Sequence, residues 1–187
     1  MSKKALYYIA VILVFSLGYS LFYINQYGIN NDKTSIQSSL EFWLNRGSQE
    51  GLDPKILEMV QLDDTTSYIT LFQLENGNYG LGQLIRGLNG KFKFEGLWYG
   101  IGLYNPSSYE IIDTNKGKYM VLYGGNPGLK IEHIKAISAN EEFRFTSDVS
   151  KIESFIKYEK IPSDLKNPFP AKLIFYDKNN NEIPLVY

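Results

Sequence analysis

The chain has 187 residues, 19 of them Lys or Arg against 20 Asp or Glu, with one His and no Cys. Setting Lys3 and Lys4 aside from the 19 leaves 17 basic against 20 acidic residues, a formal charge of −3, which provides no electrostatic footprint for nucleic acid and no basic patch reaching back to anionic lipid. The lack of cysteine excludes a disulfide framework, a thiolate metal site, a cysteine nucleophile and a lipid-modified cysteine anchor, so any outer domain has to hold together by its core.

Directly behind Lys3 and Lys4, Ala5 to Ile24 carries no charge. As an α-helix these twenty residues rise about 30 Å, the thickness of a bilayer's hydrocarbon core. Two readings compete: an uncleaved anchor, and a secretory signal peptide with Gly18 and Ser20 as the small residues before a cleavage site. The apolar run continues through Leu21, Phe22, Tyr23 and Ile24, and no charge appears before Asp32, which favours the anchor. Tyr7 and Tyr8 near one end, and Tyr23 and Tyr27 near the other, are placed to lie in the two headgroup layers. Lys3 and Lys4 put the N-terminus in the cytoplasm by the positive-inside rule and the bulk of the chain outside. This divides the chain into a cytoplasmic tip and transmembrane anchor (1–27), a polar connector (28–33) and one extracytoplasmic β-rich domain (34–187), long enough to bury a sizeable core.

Within that domain Thr34 and Gln37 have the spacing of a capping box. Ile36, Leu40, Trp43 and Leu44 then share one helical face, and Gly47 is the expected stop. From Pro54 the period is that of strands. Ser67–Leu74, a Glu75-Asn76-Gly77-Asn78 turn, Tyr79–Arg86, a Leu88-Asn89-Gly90 turn and Lys91–Tyr99 make a meander, because Asn-Gly tolerates the positive φ of tight turns. Gly100 to Ser108 reads as a loop. Tyr109–Asp113 and Lys118–Gly124 form another hairpin across Asn115-Lys116-Gly117. The run Tyr119 to Tyr123 is apolar on both faces, so that strand is expected at the centre. Leu129–Ile137, Phe143–Thr146, Phe155–Glu159 and Lys172–Tyr176 read as further strands, Ile161 to Pro170 as irregular, and Ile183–Tyr187 as a final edge strand. The expected fold is α+β: a transmembrane helix, then one amphipathic helix on a mostly antiparallel, meander-rich sheet, with a two-sheet sandwich as the alternative.

The segments Leu88 to Phe94, Val121 to Gly124 leading into Ile131 to Ile134, and Phe175 to Ile183 resemble small, membrane-anchored proteins of unknown function from Gram-positive bacteria. The resemblance implies place and architecture and carries over no functional residues.

The chemistry-bearing motifs are few. Asp177-Lys178-Asn179-Asn180-Asn181 begins like a calcium loop, but Glu182 stands where an EF-hand needs glycine, so a surface turn is expected. Asp63 and Asp64 are expected in a turn, and with Asp113 they are the carboxylates an envelope enzyme would use. His133 has no second histidine to form a metal site with. Gly80-Leu81-Gly82 lacks the third glycine of a dinucleotide fingerprint and lies between hairpin turns. With no catalytic constellation and no cofactor motif, the expected function is a non-enzymatic binding or interaction module. Its partners are the bilayer through Ala5 to Ile24 and an envelope protein or glycan. The candidate surface is the aromatic set Trp98, Tyr99, Tyr104 and Tyr109, since aromatic rings supply large contact area at small entropic cost. A third reading is a subunit of a membrane complex, with Ser16, Gly18 and Ser20 allowing close helix approach.

Overall fold

The computed structural model describes residues 2–46, 51–101, 107–139, 142–165 and 169–184. Helix α1 covers Lys3–Gln26, with Ser2 capping it through a bond from the Ala5 amide. Helix α2 covers Lys33–Asn45. The strands follow as β1 (Pro54–Gln61), β2 (Ser67–Leu74), β3 (Tyr79–Arg86), β4 (Phe92–Ile101), β5 (Ser107–Thr114), β6 (Gly117–Gly125), β7 (His133–Ser138), β8 (Arg144–Asp148), β9 (Ser154–Lys160), β10 (Ala171–Tyr176) and β11 (Glu182–Ile183). They form three antiparallel sheets, ordered β1-β2-β3-β4, β5-β6-β9 and β11-β10-β7-β8.

The fold is α+β, as the sequence indicates, but its strands divide into stacked sheets rather than one. Strand periodicity decides how the layers bind. On one face of the β1–β4 meander, Phe72, Leu74, Leu84 and Phe92 meet Ile36, Leu40 and Leu44 of α2. On its other face, Ile69, Leu71 and Leu81 meet Tyr119, Val121 and Tyr123 of β6 and Ile156 of β9. The alternate residues of β6, Met120 and Leu122, join Phe155 against Ile134, Ala136, Phe145 and Phe175 of the third sheet. Strand β6 is therefore apolar on both faces because it is sandwiched, and it lies between β5 and β9 within its own sheet.

Local chemistry shifts several boundaries. Helix α2 starts before Thr34: Asp32 is its cap, accepting from the amide of Ser35 at 2.8 Å and from the Ser35 hydroxyl at 2.8 Å. Gln37 does not reach back to close a capping box; it bonds across to β1, donating to the Pro54 carbonyl and accepting from the Ile56 amide. Trp43 is only half-buried and carries the Arg46 guanidinium 3.7 Å above its ring. Gly47 lies outside the described residues. The expected Gly100 to Ser108 loop is narrowed by strands running to Ile101 and from Ser107, and 102–106 also lie outside. Leu129 belongs to a short 3₁₀ turn, Pro127–Leu129, and the strand after it begins at His133. The expected last strand is described only as Glu182–Ile183, since 185–187 fall outside.

Gly80 and Gly82 have a packing role in β3. Gly80 is paired directly across from Phe72 of β2. A Cβ on Gly80 would lie 2.5 Å from Cε2 and 2.8 Å from Cε1 of the Phe72 ring, and closer still to Cζ. On Gly82 it would lie 2.8 Å from Thr70 Cγ2 and 2.9 Å from Leu97 Cδ2. The glycines leave the volume that the aromatic and aliphatic side chains under α2 occupy, a device known for glycine beside a cross-strand aromatic.

Candidate functional site

The most specific arrangement in the molecule is the junction between the end of α1 and the β3–β4 hairpin. Tyr23 on α1 and Tyr27, the residue that caps its C-terminus, are four residues apart and stack with centroids at 4.6 Å. The Tyr23 hydroxyl accepts from the Leu88 amide at 2.6 Å, and Asn89 Nδ2 donates to the Tyr27 carbonyl at 3.0 Å. Beyond the helix, Ile29 pairs with Phe92 through backbone bonds of 3.0 and 2.7 Å. The turn supporting this contact is closed by Gly87 and Lys91, by Gly90 at φ +76°, and by Asn89 Oδ1 accepting from the Lys91 amide at 3.1 Å. Asn89 thus uses its oxygen for the turn and its amide nitrogen for the helix. Gly87 is needed for the approach: a Cβ there would lie 2.7 Å from Tyr23 Oη and 2.7 Å from Tyr27 Cδ1. Lys93 Nζ is 5.6 Å from the Tyr27 ring centroid and pairs with Glu95 at 2.6 Å. The hydrogen bond the ammonium donates to that carboxylate holds its pKa above the ordinary value. Phe42 of α2, 74% exposed, joins Asn25 and Gln26 in lining a groove beside the same helix end.

Away from this junction α1 touches little. It is long and apolar enough to cross a membrane, and none of its residues is buried. Ser20 donates to the Ser16 carbonyl at 2.8 Å, and nothing lies within 4 Å of a Cβ built on Gly18.

The carboxylates Asp63, Asp64 and Asp113 come to one end of the first two sheets, where the β1–β2 turn meets the β5–β6 turn. Asn115 Oδ1 accepts from the Thr66 amide at 3.1 Å and ties the two turns together. Each carboxylate has a partner. Tyr119 donates its hydroxyl to Asp63 Oδ2 at 2.8 Å, Asp64 pairs with Lys116, and Asp113 pairs with Lys118 at 3.1 Å. The Lys116 hydrogen bond, with its charge, holds Asp64 below the usual carboxylate range. Burial, with the Asp63 bond, pushes the Tyr119 hydroxyl up to about 12. A carboxylate held charged is a charge partner, and a phenol at about 12 keeps its proton, so Asp64 and Tyr119 suit joining the turns better than shuttling protons at neutral pH. Beside it Lys116, Lys118, Lys160 and Ser163 line an open cleft of about 510 Å³.

The aromatic set does not converge as a surface among the described residues. Trp98 packs against the core between the first two sheets, with Gly96 under its indole. Tyr99, its neighbour on the opposite face of β4, is 57% exposed. Tyr109 packs toward the third sheet, and its hydroxyl accepts from the Ala171 amide at 2.5 Å. Tyr104 lies outside the described residues. His133 stacks on Tyr176 at 4.6 Å. Asp177 is the head of a turn, its Oδ1 accepting from the amides of Asn179 at 2.9 Å and Asn181 at 2.8 Å. No group of three or more potential metal ligands occurs among the described residues.

The α1–hairpin junction was not foreseen from sequence. Its signal is the Tyr23/Tyr27 spacing of one helical turn together with a leucine, Leu88, in a turn otherwise made of polar and glycine residues. Compared with known proteins, the chain matches no family model, no curated protein and no solved structure.

Proposed function

We propose that the protein is a non-enzymatic, membrane-anchored module, with Ala5 to Ile24 in the bilayer, its N-terminus in the cytoplasm and its β-rich domain outside, where it engages an envelope protein or glycan. The observation that carries this reading is the condition of α1. Leu13, Val14, Phe15, Leu17, Leu21 and Phe22 are each at least 60% exposed. Burying one such side chain is worth about 1.5–3 kcal/mol, so the helix calls for an apolar surrounding that the domain does not supply. The resemblance to small membrane-anchored proteins of Gram-positive bacteria points the same way.

The absence of cysteine makes the topology directly testable. Glu75→Cys in the domain is expected to react with a membrane-impermeant maleimide on intact cells, and Ser2→Cys only after permeabilisation. Reaction of both only after permeabilisation would remove the extracytoplasmic reading. The module itself is tested by affinity capture with the full chain and with a chain whose anchor is exchanged for an unrelated span. Recovery of the same envelope protein or glycan by both supports it; recovery by the native anchor alone supports the membrane-complex subunit instead.

A further inference from the structure

We infer that the tip of the β3–β4 hairpin is a second membrane contact, with Leu88 entering the interfacial layer of the bilayer and Arg86 and Lys91 meeting lipid phosphates. The inference rests on the reading of α1 as a membrane anchor and adds to it where, and by which residues, the domain is seated on the lipid.

Depth is the first argument. Side chains of an α-helix lean toward its N-terminus, so the Tyr23 hydroxyl lies at or below the level of its own Cα, on the membrane side. Tyr23 is one residue short of the end of the apolar run at Ile24. The Leu88 amide is hydrogen-bonded to that hydroxyl at 2.6 Å. A helix that places Ala5 to Ile24 in the hydrocarbon therefore brings the hairpin tip down to the hydrocarbon–headgroup boundary.

Exposure and charge are the second. Leu88 is 98% exposed, with no protein surface covering it. A lone leucine at the apex of a turn contributes nothing to the core, and the solvent that matches it at this depth is lipid. Arg86 and Lys91 flank it, both exposed, and neither takes part in the ion pairs formed among the described residues. Basic side chains beside an inserted apolar residue are the arrangement that anionic headgroups attract. The overall composition predicts no such patch; the hairpin assembles one locally, next to the helix end.

Rigidity is the third. The two tyrosine contacts and the Ile29–Phe92 pairing fix the hairpin to the helix, so insertion of the tip follows from the position of α1 and holds the domain in one attitude.

The test uses full-length single-cysteine variants, each carrying an environment-sensitive fluorophore, in nanodiscs of phosphatidylcholine and phosphatidylglycerol. Lipids bear a nitroxide either near the headgroup or at mid-chain. Leu88→Cys is compared with Glu75→Cys at the opposite hairpin end of the same sheet and with Lys178→Cys in the third sheet; Leu13→Cys reports the anchor. The expected result is headgroup-level quenching at 88 several times that at 75 and 178, with mid-chain quenching at 13. That quenching should fall when Arg86→Gln and Lys91→Gln are added. Quenching at 88 no greater than at 75 and 178, with 13 still quenched, overturns this inference and leaves the anchor standing. A probe at 88 shielded from both water and nitroxide places a protein there and also overturns it. Loss of mid-chain quenching at 13 overturns the anchor and the inference together.

Discussion

Gly80→Ala provides a sharp test of the packing under α2. The added Cβ would lie 2.5 Å and 2.8 Å from two atoms of the Phe72 ring, with Cζ nearer still, whereas carbon atoms pack at about 3.5–4.0 Å. The ring must therefore move by roughly 1 Å or more at its tip. Phe72 is wholly buried among Ile36, Leu40, Ile56 and Leu84, so no open space receives it. Overpacking of this kind costs about 1–3 kcal/mol, and three close ring atoms place this site toward the upper end. Restricting the unfolded chain returns about 0.4–1 kcal/mol. The net expectation is a loss of about 2 kcal/mol, or a Tm lower by about 4–8 °C for a chain of this length. Thermal melting of the full chain in detergent, followed by Trp43 and Trp98 fluorescence, measures it. Phe72→Leu shortens the side chain and should make the second substitution nearly free, giving a coupling of about 1–2 kcal/mol in the double-mutant cycle. Gly18→Ala, with nothing within 4 Å, is the control without overpacking and should lose no stability. A Gly80→Ala protein as stable as wild type, or strict additivity with Phe72→Leu, would refute the argument.

Asn126 is fully buried; its Nδ2 donates to the carbonyls of Ile131 and Val149 and its Oδ1 accepts from the Ile131 amide. Asn126→Ala strands those backbone groups and should lower stability by about 3 kcal/mol in denaturant titration; a loss below about 1 kcal/mol would mean water replaces the side chain. Burial raises the pKa of Glu110 above its ordinary 4.5. A carboxyl whose folded pKa is raised favours folding while protonated and loses that contribution as pH rises from the ordinary value through the raised one. Glu110→Gln should therefore melt higher than wild type at pH 7, with the gain shrinking as pH falls from the raised value through the ordinary 4.5 and gone below it; a gain that grows toward acid would contradict this. Tyr23→Phe removes the acceptor of the Leu88 amide, which should exchange faster with deuterium while global stability changes by less than about 1 kcal/mol, since water takes the hydroxyl's place. Unchanged exchange at Leu88 would show that the helix and hairpin are not joined there.

The elements whose signals are local were legible in advance. Ala5 to Ile24 reads as a helix long and apolar enough to span a membrane because length and lack of charge suffice for it, and the β2–β3–β4 meander follows from alternation and two Asn-Gly turns. The two apolar faces of β6 likewise announced a strand covered on both sides. Helix caps were less legible: Thr34 and Asp32 are both good caps by residue type, and what decided between them was Gln37 being drawn across to the edge of β1.

What only the tertiary structure decided depends on partners distant in sequence. Strand patterns do not say which sheet a strand joins, so the split into three layers came from the packing of β6 between two others. The Gly80-Leu81-Gly82 run takes its meaning from Phe72 and Thr70 across the ladder. Asp63, Asp64 and Asp113 are brought to one end by turns that are far apart in the chain, and the aromatics Trp98, Tyr99 and Tyr109 are sent to different faces by strand alternation and by the sheet each belongs to. Above all, the sequence by itself determined that an apolar helix precedes a β-rich domain, because hydropathy is a property of the segment. How the two meet, through Tyr23 and Tyr27 on Leu88 and Asn89, was decided by a contact across more than sixty residues, which no local pattern encodes.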